Sequence, residues 1–525
     1  MKNKKNILII VFFLILQTII YIFVAKNKSY LHIDEVYSFG LTNYDKIEIQ
    51  DNKDFYDTWH SKEYYEDYLA IQEDEKGDYK PVYENQKNDV HPPLYYLLLR
   101  FCMEFWGGHV SMWPGIILNI IIYAFITIFM YLILRKIFTN ETSSEIKAII
   151  LAFVSSIILA SLSTVINIRM YALSTLNITI STFLHMKLFE SNRTNLKLLI
   201  AITINSLCGI LTHYYYLFYL VALYLIFLHK YTKEKQLKQL LYYTLSLLVA
   251  GILSLIIFPY SIQHMFFGYR GQGVVSNLKN IYEIFPSIFI QICNVNYYVF
   301  NGSLPFILVI IIGLLIYNKK HKKANFNITK EVKGFLKIIY IPTIFFFLIT
   351  SIASPWKVLR YFAPVCGLIF ILILFYLYKL IQFTVNKKMC NILISIVLCI
   401  ILLLPFAFKL NPELLYDNRK EIVQKICGEL NLPTIYFYNS QKGGLLDDFF
   451  IFSKINESYI AKDIHFTDQN IQKIVENKDI SRGVLIFIND GQNNQLIINT
   501  VKRSLNLMNC DYLQRLSSCD AYYIH

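Results

Sequence analysis

The sequence predicts an α-helical polytopic membrane protein of about eleven transmembrane helices, N-terminus inside and C-terminus outside, with a small extracytoplasmic α/β domain at its end. Three observations predict it. Of 525 residues, 55% are hydrophobic and only 17% charged, where soluble domains hold about 25% charged residues. Apolar runs of about twenty residues, the length that crosses a bilayer core, recur from the N-terminus to about Phe408. The bases between these runs fall in alternate segments.

The runs begin near Ile7, Trp113, Ile146, Tyr171, Leu196, Tyr214, Gln239, Ser303, Leu336, Phe362 and Met389. The first follows Lys2, Lys4 and Lys5, as a signal peptide would. Its apolar core is longer than a signal h-region and lacks a small-x-small cleavage site, so it is read as a retained anchor. With the N-terminus inside, all six inner segments are net basic. They hold 23 bases against five acids (Glu141, Glu145, Glu190, Glu234, Glu331), and the densest run includes Lys319, Lys320, Lys322 and Lys323. One crossing more or fewer would scramble that alternation. Outside, the first loop, 26–112, carries 17 acids and 9 bases, and the tail is nearly neutral. The net charge of +13 is therefore mainly a topology signal and points to no nucleic-acid partner.

Two domains follow: residues 1–408, a membrane domain that includes the outer loop 26–112, and residues 409–525, an extracytoplasmic accessory domain. In the loop, Pro92-Pro93 opens the stretch 94–106, too short and too charged to span, which reads as an amphipathic surface helix. In the tail, the strand-like runs Thr434–Tyr438 and Val484–Asn489 alternate with helix-like stretches at 468–477 and 495–505, the pattern of a small α/β fold. The nine cysteines show no C-x-x-C pair or zinc-like spacing. Cys510 and Cys519 fall in the outer tail, where a disulfide between them, a competing one through Cys427, or three free thiols all remain open.

Candidate chemistry gathers on the outer side. Asp34-Glu35 stands about nine residues after the first apolar run, among apolar and aromatic neighbours, where a carboxylate can serve as general base or metal ligand. Asp89-Val90-His91-Pro92-Pro93 holds Asp89 and His91 ahead of a stiffened turn. Arg169, His213, His264, Arg270, Lys357 and Arg360 sit in short outer loops. Guanidinium groups suit bidentate contact with phosphate oxygens, so this basic set fits a lipid phosphate held beside the carboxylates.

Asp34-Glu35 after the first helix, His91-Pro92-Pro93-Leu94-Tyr95-Tyr96 opening a surface helix, and Arg169-Met170-Tyr171-Ala172-Leu173 at a helix junction together resemble the GT-C superfamily of polyprenyl-phosphate-dependent glycosyltransferases. The nearest branch is that of the protein O-mannosyltransferases and the lipid A aminoarabinose transferases, and the resemblance covers residues 1–408. It implies transfer of a sugar from a polyprenyl-phosphate donor to an acceptor hydroxyl on the outer face of the plasma membrane, with inversion. The acceptor would be a protein, a glycolipid or a cell-wall polymer. Asp34 would be the general base, with Glu35 orienting the acceptor. Arg169, Arg270, Lys357 and Arg360 would bind the donor phosphate. Asp89, His91, His213 and His264 would contact the acceptor or a divalent metal ion, whose involvement the resemblance leaves unknown. Richness in Lys, Asn, Ile and Tyr suits an AT-rich bacterial genome.

The alternatives are a lipid or polysaccharide flippase without covalent transfer, and a non-catalytic scaffold that binds cell-wall polymer. A transporter places ionisable residues deep in its helices, whereas here the apolar runs are nearly free of them.

Overall fold

The computed structural model describes residues 2–43, 53–139, 144–191, 195–321, 328–463 and 467–525. Glu141, Arg193, Lys322 and Lys323, counted above among inner charges, lie outside the described residues. The chain divides into two compact units. One comprises Met1–Val24, Asp89–Tyr95 and Ile116–Glu413, and the other Ala25–Asn88, Tyr96–Gly115 and Leu414–His525.

The first unit is helical, and all eleven expected runs are helices within it. Among the described residues six helices are long and apolar enough to cross a membrane: Lys4–Ala25, Trp113–Ile137, Leu237–Ile257, Lys330–Ala353, Ala363–Thr384 and Lys387–Phe408. Two bent pairs raise the number to eight, Ser144–Ser156 with Leu159–Ile166 at 56° and Ile281–Phe300 with Leu304–Lys320 at 91°. The second bend sits at Asn301-Gly302, where φ is +52° and +85°, a left-handed corner that ends a helix cheaply at Asn or Gly. Asn195, Asn386 and Thr329 cap the helices that follow them, each side chain accepting a backbone N–H.

Helix Tyr171–Glu190 is too polar to rank among the spans because it carries Asn177, Ser181, Thr182 and His185, all buried. Their polar atoms are satisfied inside the unit, which removes the penalty of burying them. The Ser181 and Tyr216 hydroxyls lie 2.6 Å apart and those of Thr182 and Tyr219 2.7 Å apart. His185 Nε2 lies 2.9 Å from the Tyr243 hydroxyl. Gly209 permits this network, since a Cβ there would lie 2.4 Å from the Tyr216 ring.

The second unit is built on a six-stranded sheet: β1 (Trp59–Ser61), β2 (Thr434–Tyr438), β3 (Glu457–Lys462), β4 (Val484–Asn489), β5 (Cys510–Arg515) and β6 (Cys519–Ile524). The order is β1-β3-β2-β4-β6-β5, with β3, β2 and β4 parallel and the rest antiparallel. Every residue of β2 and β4 is buried, as central parallel strands require. Ile435, Phe437, Val484, Ile486 and Ile488 meet Ile471 of helix Asp468–Ile474 and Ile497 and Val501 of helix Asn494–Leu505. Each such side chain, fully buried, contributes about 1.5–3 kcal/mol. The two strands and two helices expected from the tail are all present. The edge strand β1 comes from the first loop and pairs with β3 through Trp59 and Tyr459.

Cys510 and Cys519 are both free thiols. Cys510 lies opposite Ile524 at one end of β6, and Cys519 begins the other end. Five residues of extended chain, at about 3.4 Å each, separate those ends.

Candidate active site

In the second unit, helix Ile33–Asn43 presents Asp34 and Glu35 in its first turn, where the helix dipole favours negative charge. His32 caps this helix. Its Nδ1 accepts the Asp34 N–H at 3.1 Å, while Glu35 Oε2 reaches back to accept the His32 N–H at 2.8 Å. This is a capping box with an imidazole in place of the usual hydroxyl. The same Glu35 oxygen accepts from Lys28 Nζ at 2.9 Å, and both side chains are wholly buried. Lys28 also donates to the Leu414 carbonyl at 2.8 Å. Burial pulls the Lys28 ammonium down from its ordinary value, opposed by the Glu35 charge. Glu35 is thus engaged in fixing the helix start. The Asp34 side chain keeps 25% of its exposure, with His32 Nδ1 3.7 Å from its Oδ2.

Residues of the tail surround the same turn. The Tyr30 hydroxyl bonds to the Asp447 carbonyl at 3.0 Å and to the Asp448 carboxylate, and Arg419 packs over the Tyr30 and Tyr416 rings at 4.9 and 4.7 Å. Asp448 is fully buried and also receives the Cys519 thiol at 3.2 Å. Burial, then the Asp448 and Asp34 charges, pushes Asp447 up to about 7 against the opposing pull of Arg419. Sequence reading missed these acids, because Gly443-Gly444-Leu445-Leu446-Asp447-Asp448 looks like an ordinary surface turn.

In the first unit, a second cluster forms where two loops meet. The Leu94 N–H donates to the Leu211 carbonyl at 3.0 Å, which brings Asp89 and His91 to the corner that carries His213. The rings of His91 and His213 lie 5.8 Å apart, and Tyr171 packs against His213 at the same distance. Arg169, from the turn before helix Tyr171–Glu190, bears electrostatically on Asp89, His91 and His213. His264 joins through the Tyr214 hydroxyl, 3.0 Å from its Nδ1. Burial pushes Asp89 up, opposed by Arg169. Burial and then Arg169 push His91 well down and His213 down to about 3, so both imidazoles are neutral at physiological pH.

Arg270 packs over Trp356 at 4.6 Å, and Arg360 lies 5.7 Å from the same ring. The charge of Arg270 also reaches His91 and Tyr215. Lys357 is turned onto its own loop, donating to the Ile352 and Ser354 carbonyls at 3.1 and 2.8 Å. Beyond the last apolar helix, Glu413 is pushed up to about 6 by burial, opposed by Arg360. The structure therefore brings Asp89, His91, Arg169, His213 and His264 together, sets Arg270 and Arg360 about one tryptophan, and leaves Lys357 engaged with backbone. Among the described residues no three His, Cys, Asp or Glu side chains are arranged to hold a metal ion. Arg169 beside the imidazoles also disfavours a second cation there.

No protein-family model matches the chain, and no curated protein does. Solved structures do. The chain is similar to ArnT from Cupriavidus metallidurans bound to undecaprenyl phosphate, with 9% identity, a TM-score of 0.50, and coverage of 98% of this chain and 97% of that one. The apo state of the same protein gives a TM-score of 0.47 at the same identity and coverage. The likeness to the undecaprenyl phosphate complex concerns the fold, and it bears out the GT-C resemblance seen in the sequence. The chain accordingly has a fold like that of ArnT, with six to eight apolar segments long enough to cross a membrane among its described residues and a small sheet formed mainly by its C-terminal part.

Proposed function

We propose that the protein is a membrane glycosyltransferase that moves a sugar from a polyprenyl-phosphate donor to an acceptor hydroxyl on the outer face of the membrane. The observation that carries this reading is the buried Arg169 cluster, which joins a fixed positive charge to neutral imidazoles and one carboxylate on a fold like that of a protein crystallised with undecaprenyl phosphate. Asp34 takes the proton of the acceptor hydroxyl as that oxygen attacks the anomeric carbon. The bond from the anomeric carbon to the phosphate oxygen breaks, the configuration inverts, and the lipid phosphate departs as an anion without being protonated. One base therefore suffices. Asp34 stands in the first turn of its helix, where the helix dipole favours negative charge. Arg169, with Arg270 and Arg360, stabilises the charge that develops on the departing phosphate, a task for which fixed cations in a dry site are well suited. Glu35 and Lys28 hold the base in place.

The test uses the full chain in liposomes with undecaprenyl phosphate bearing a radiolabelled sugar, either mannose or aminoarabinose, and a cell-envelope extract as acceptor. Label that moves covalently to the acceptor supports the reading. Movement of intact lipid-linked sugar across the bilayer without covalent transfer would replace it with the flippase reading.

A further inference from the structure

One ring nitrogen faces two atoms of Asp34. His32 Nδ1 accepts the Asp34 N–H at 3.1 Å and lies 3.7 Å from Asp34 Oδ2. A nitrogen that accepts a hydrogen bond carries no proton, so His32 is neutral in this arrangement, with its proton on Nε2. Nδ1 and Oδ2 are then two acceptors, and no hydrogen bond forms between them. A proton on Nδ1 would reverse both relations. The Asp34 N–H would lose its acceptor, and a charged donor would face the carboxylate across a gap that closes by about 1 Å to reach the length of a charge-assisted bond. Both side chains keep about a quarter of their exposure, so protons from solvent reach the ring. The backbone of His32 is held independently, because its N–H donates to Glu35 Oε2 at 2.8 Å and Glu35 is bonded to the buried Lys28 at 2.9 Å.

We infer that His32 is a positioning residue for the base, with two states that exclude each other. Neutral, its Nδ1 fixes the Asp34 backbone and leaves the carboxylate to the acceptor hydroxyl. Protonated, it bonds the carboxylate and withdraws it from the reaction. An adjacent imidazolium favours the charged carboxylate and so weakens it as a base, and the bond occupies an oxygen that would meet the hydroxyl. Transfer therefore rises with pH through the range in which imidazoles titrate, about pH 5 to 8. The other charged groups about this turn are Glu35 and Lys28, bonded to each other, and Asp447, Asp448 and Arg419 from the tail. Helices Lys62–Leu69 and Lys80–Asn88 meet the far half of helix Ile33–Asn43, where Tyr68 packs on Gly40 and Asn85 donates to the Leu41 carbonyl. Asp447 also titrates near neutrality and is coupled to Asp34, and its effect must be told apart from that of His32. The inference rests on the glycosyltransferase reading and adds to it the residue that governs the base.

The experiment measures kcat/KM for sugar transfer by the purified full chain from about pH 5 to 8.5, in wild type, His32→Asn, His32→Ser and Asp447→Asn. Asn and Ser can each accept the Asp34 N–H as a helix cap, but neither titrates. Wild type is expected to lose about 10-fold between pH 8 and pH 5.5, the excess of imidazolium one unit below the midpoint of an ordinary histidine. Both His32 variants should give a nearly flat profile, and Asp447→Asn should keep the wild-type fall. Melting at pH 8 reports that each variant is folded. A fall that persists in the His32 variants, or one that Asp447→Asn abolishes, would overturn the inference and leave the glycosyltransferase reading in place. A flat wild-type profile would do the same. Absence of transfer by wild type at every pH would remove that reading, and this inference with it.

Discussion

The two units handle charge in opposite ways. The helical unit buries imidazoles beside Arg169 and keeps them neutral, so that its cluster works through a fixed cation and oriented hydrogen bonds. The mixed unit buries carboxylates and leaves one of them, Asp447, poised near neutrality, with Asp34 half-open at a helix N-terminus. On the proposed reading, the mixed unit supplies the base and the helical unit supplies the cations. A glycosyl transfer to a hydroxyl needs both, one base for the acceptor and one cation for a leaving phosphate. A chain that only moved lipid would have no use for the first.

The largest effect expected from breaking this contrast is structural. Lys28→Met removes the cation bonded to the buried Glu35 side chain, and should destabilise the fold by about 3–5 kcal/mol, read as a shift in the denaturation of the purified chain. Arg169→Ala removes the cation of the helical unit. It should lower use of the lipid-phosphate donor by about 10²–10³-fold, read as kcat/KM for sugar transfer, with little change in melting. If both variants behaved alike in both assays, the division between scaffold and chemistry would fail.

Asp447→Asn sharpens the contrast through pH. Asp447 is raised in the folded state, so between about pH 4 and pH 7 the native protein holds a proton that the unfolded chain has lost. Its ionisation therefore costs stability as pH rises through that window, and the full cost is present above about 7. The amide variant, a permanent stand-in for the protonated acid, should be more stable than wild type at pH 8, by on the order of a few kcal/mol. The two should converge at pH 4. Melting curves at the two pH values check this, and equal differences at both would contradict the assigned burial. The smallest effect concerns Cys510 and Cys519, which are separate thiols. A reducing agent should leave the melting temperature unchanged.

Much of this was legible in the sequence because apolar length and turn chemistry are local signals. All eleven runs are helical, and Asp34 was found from its place after the first of them. What escaped were features made by distant pairing. Strand β1 has only three residues and gains its identity from β3, some four hundred residues on. Helices Tyr269–Lys279 and Ile281–Phe300 lie where the sequence suggested an outer loop, since Arg270, Lys279 and Glu283 mask the apolar stretch. Glu35 read as a partner of Asp34 in chemistry, whereas its engagement with Lys28 and the His32 N–H depends on a fold in which both are wholly buried. The role of Asp447 could not be seen from residue type, because its environment comes from Tyr30, Asp448 and Asp34 together.

The central claim is that Asp34 is the base and that the rest of the site serves it. It is tested most directly by comparing sugar transfer and donor-lipid binding in wild type and Asp34→Asn. Transfer should fall by about 10²–10⁴-fold, while donor binding and melting stay at wild-type values. An Asp34→Asn protein that transfers sugar as fast as wild type would contradict the account.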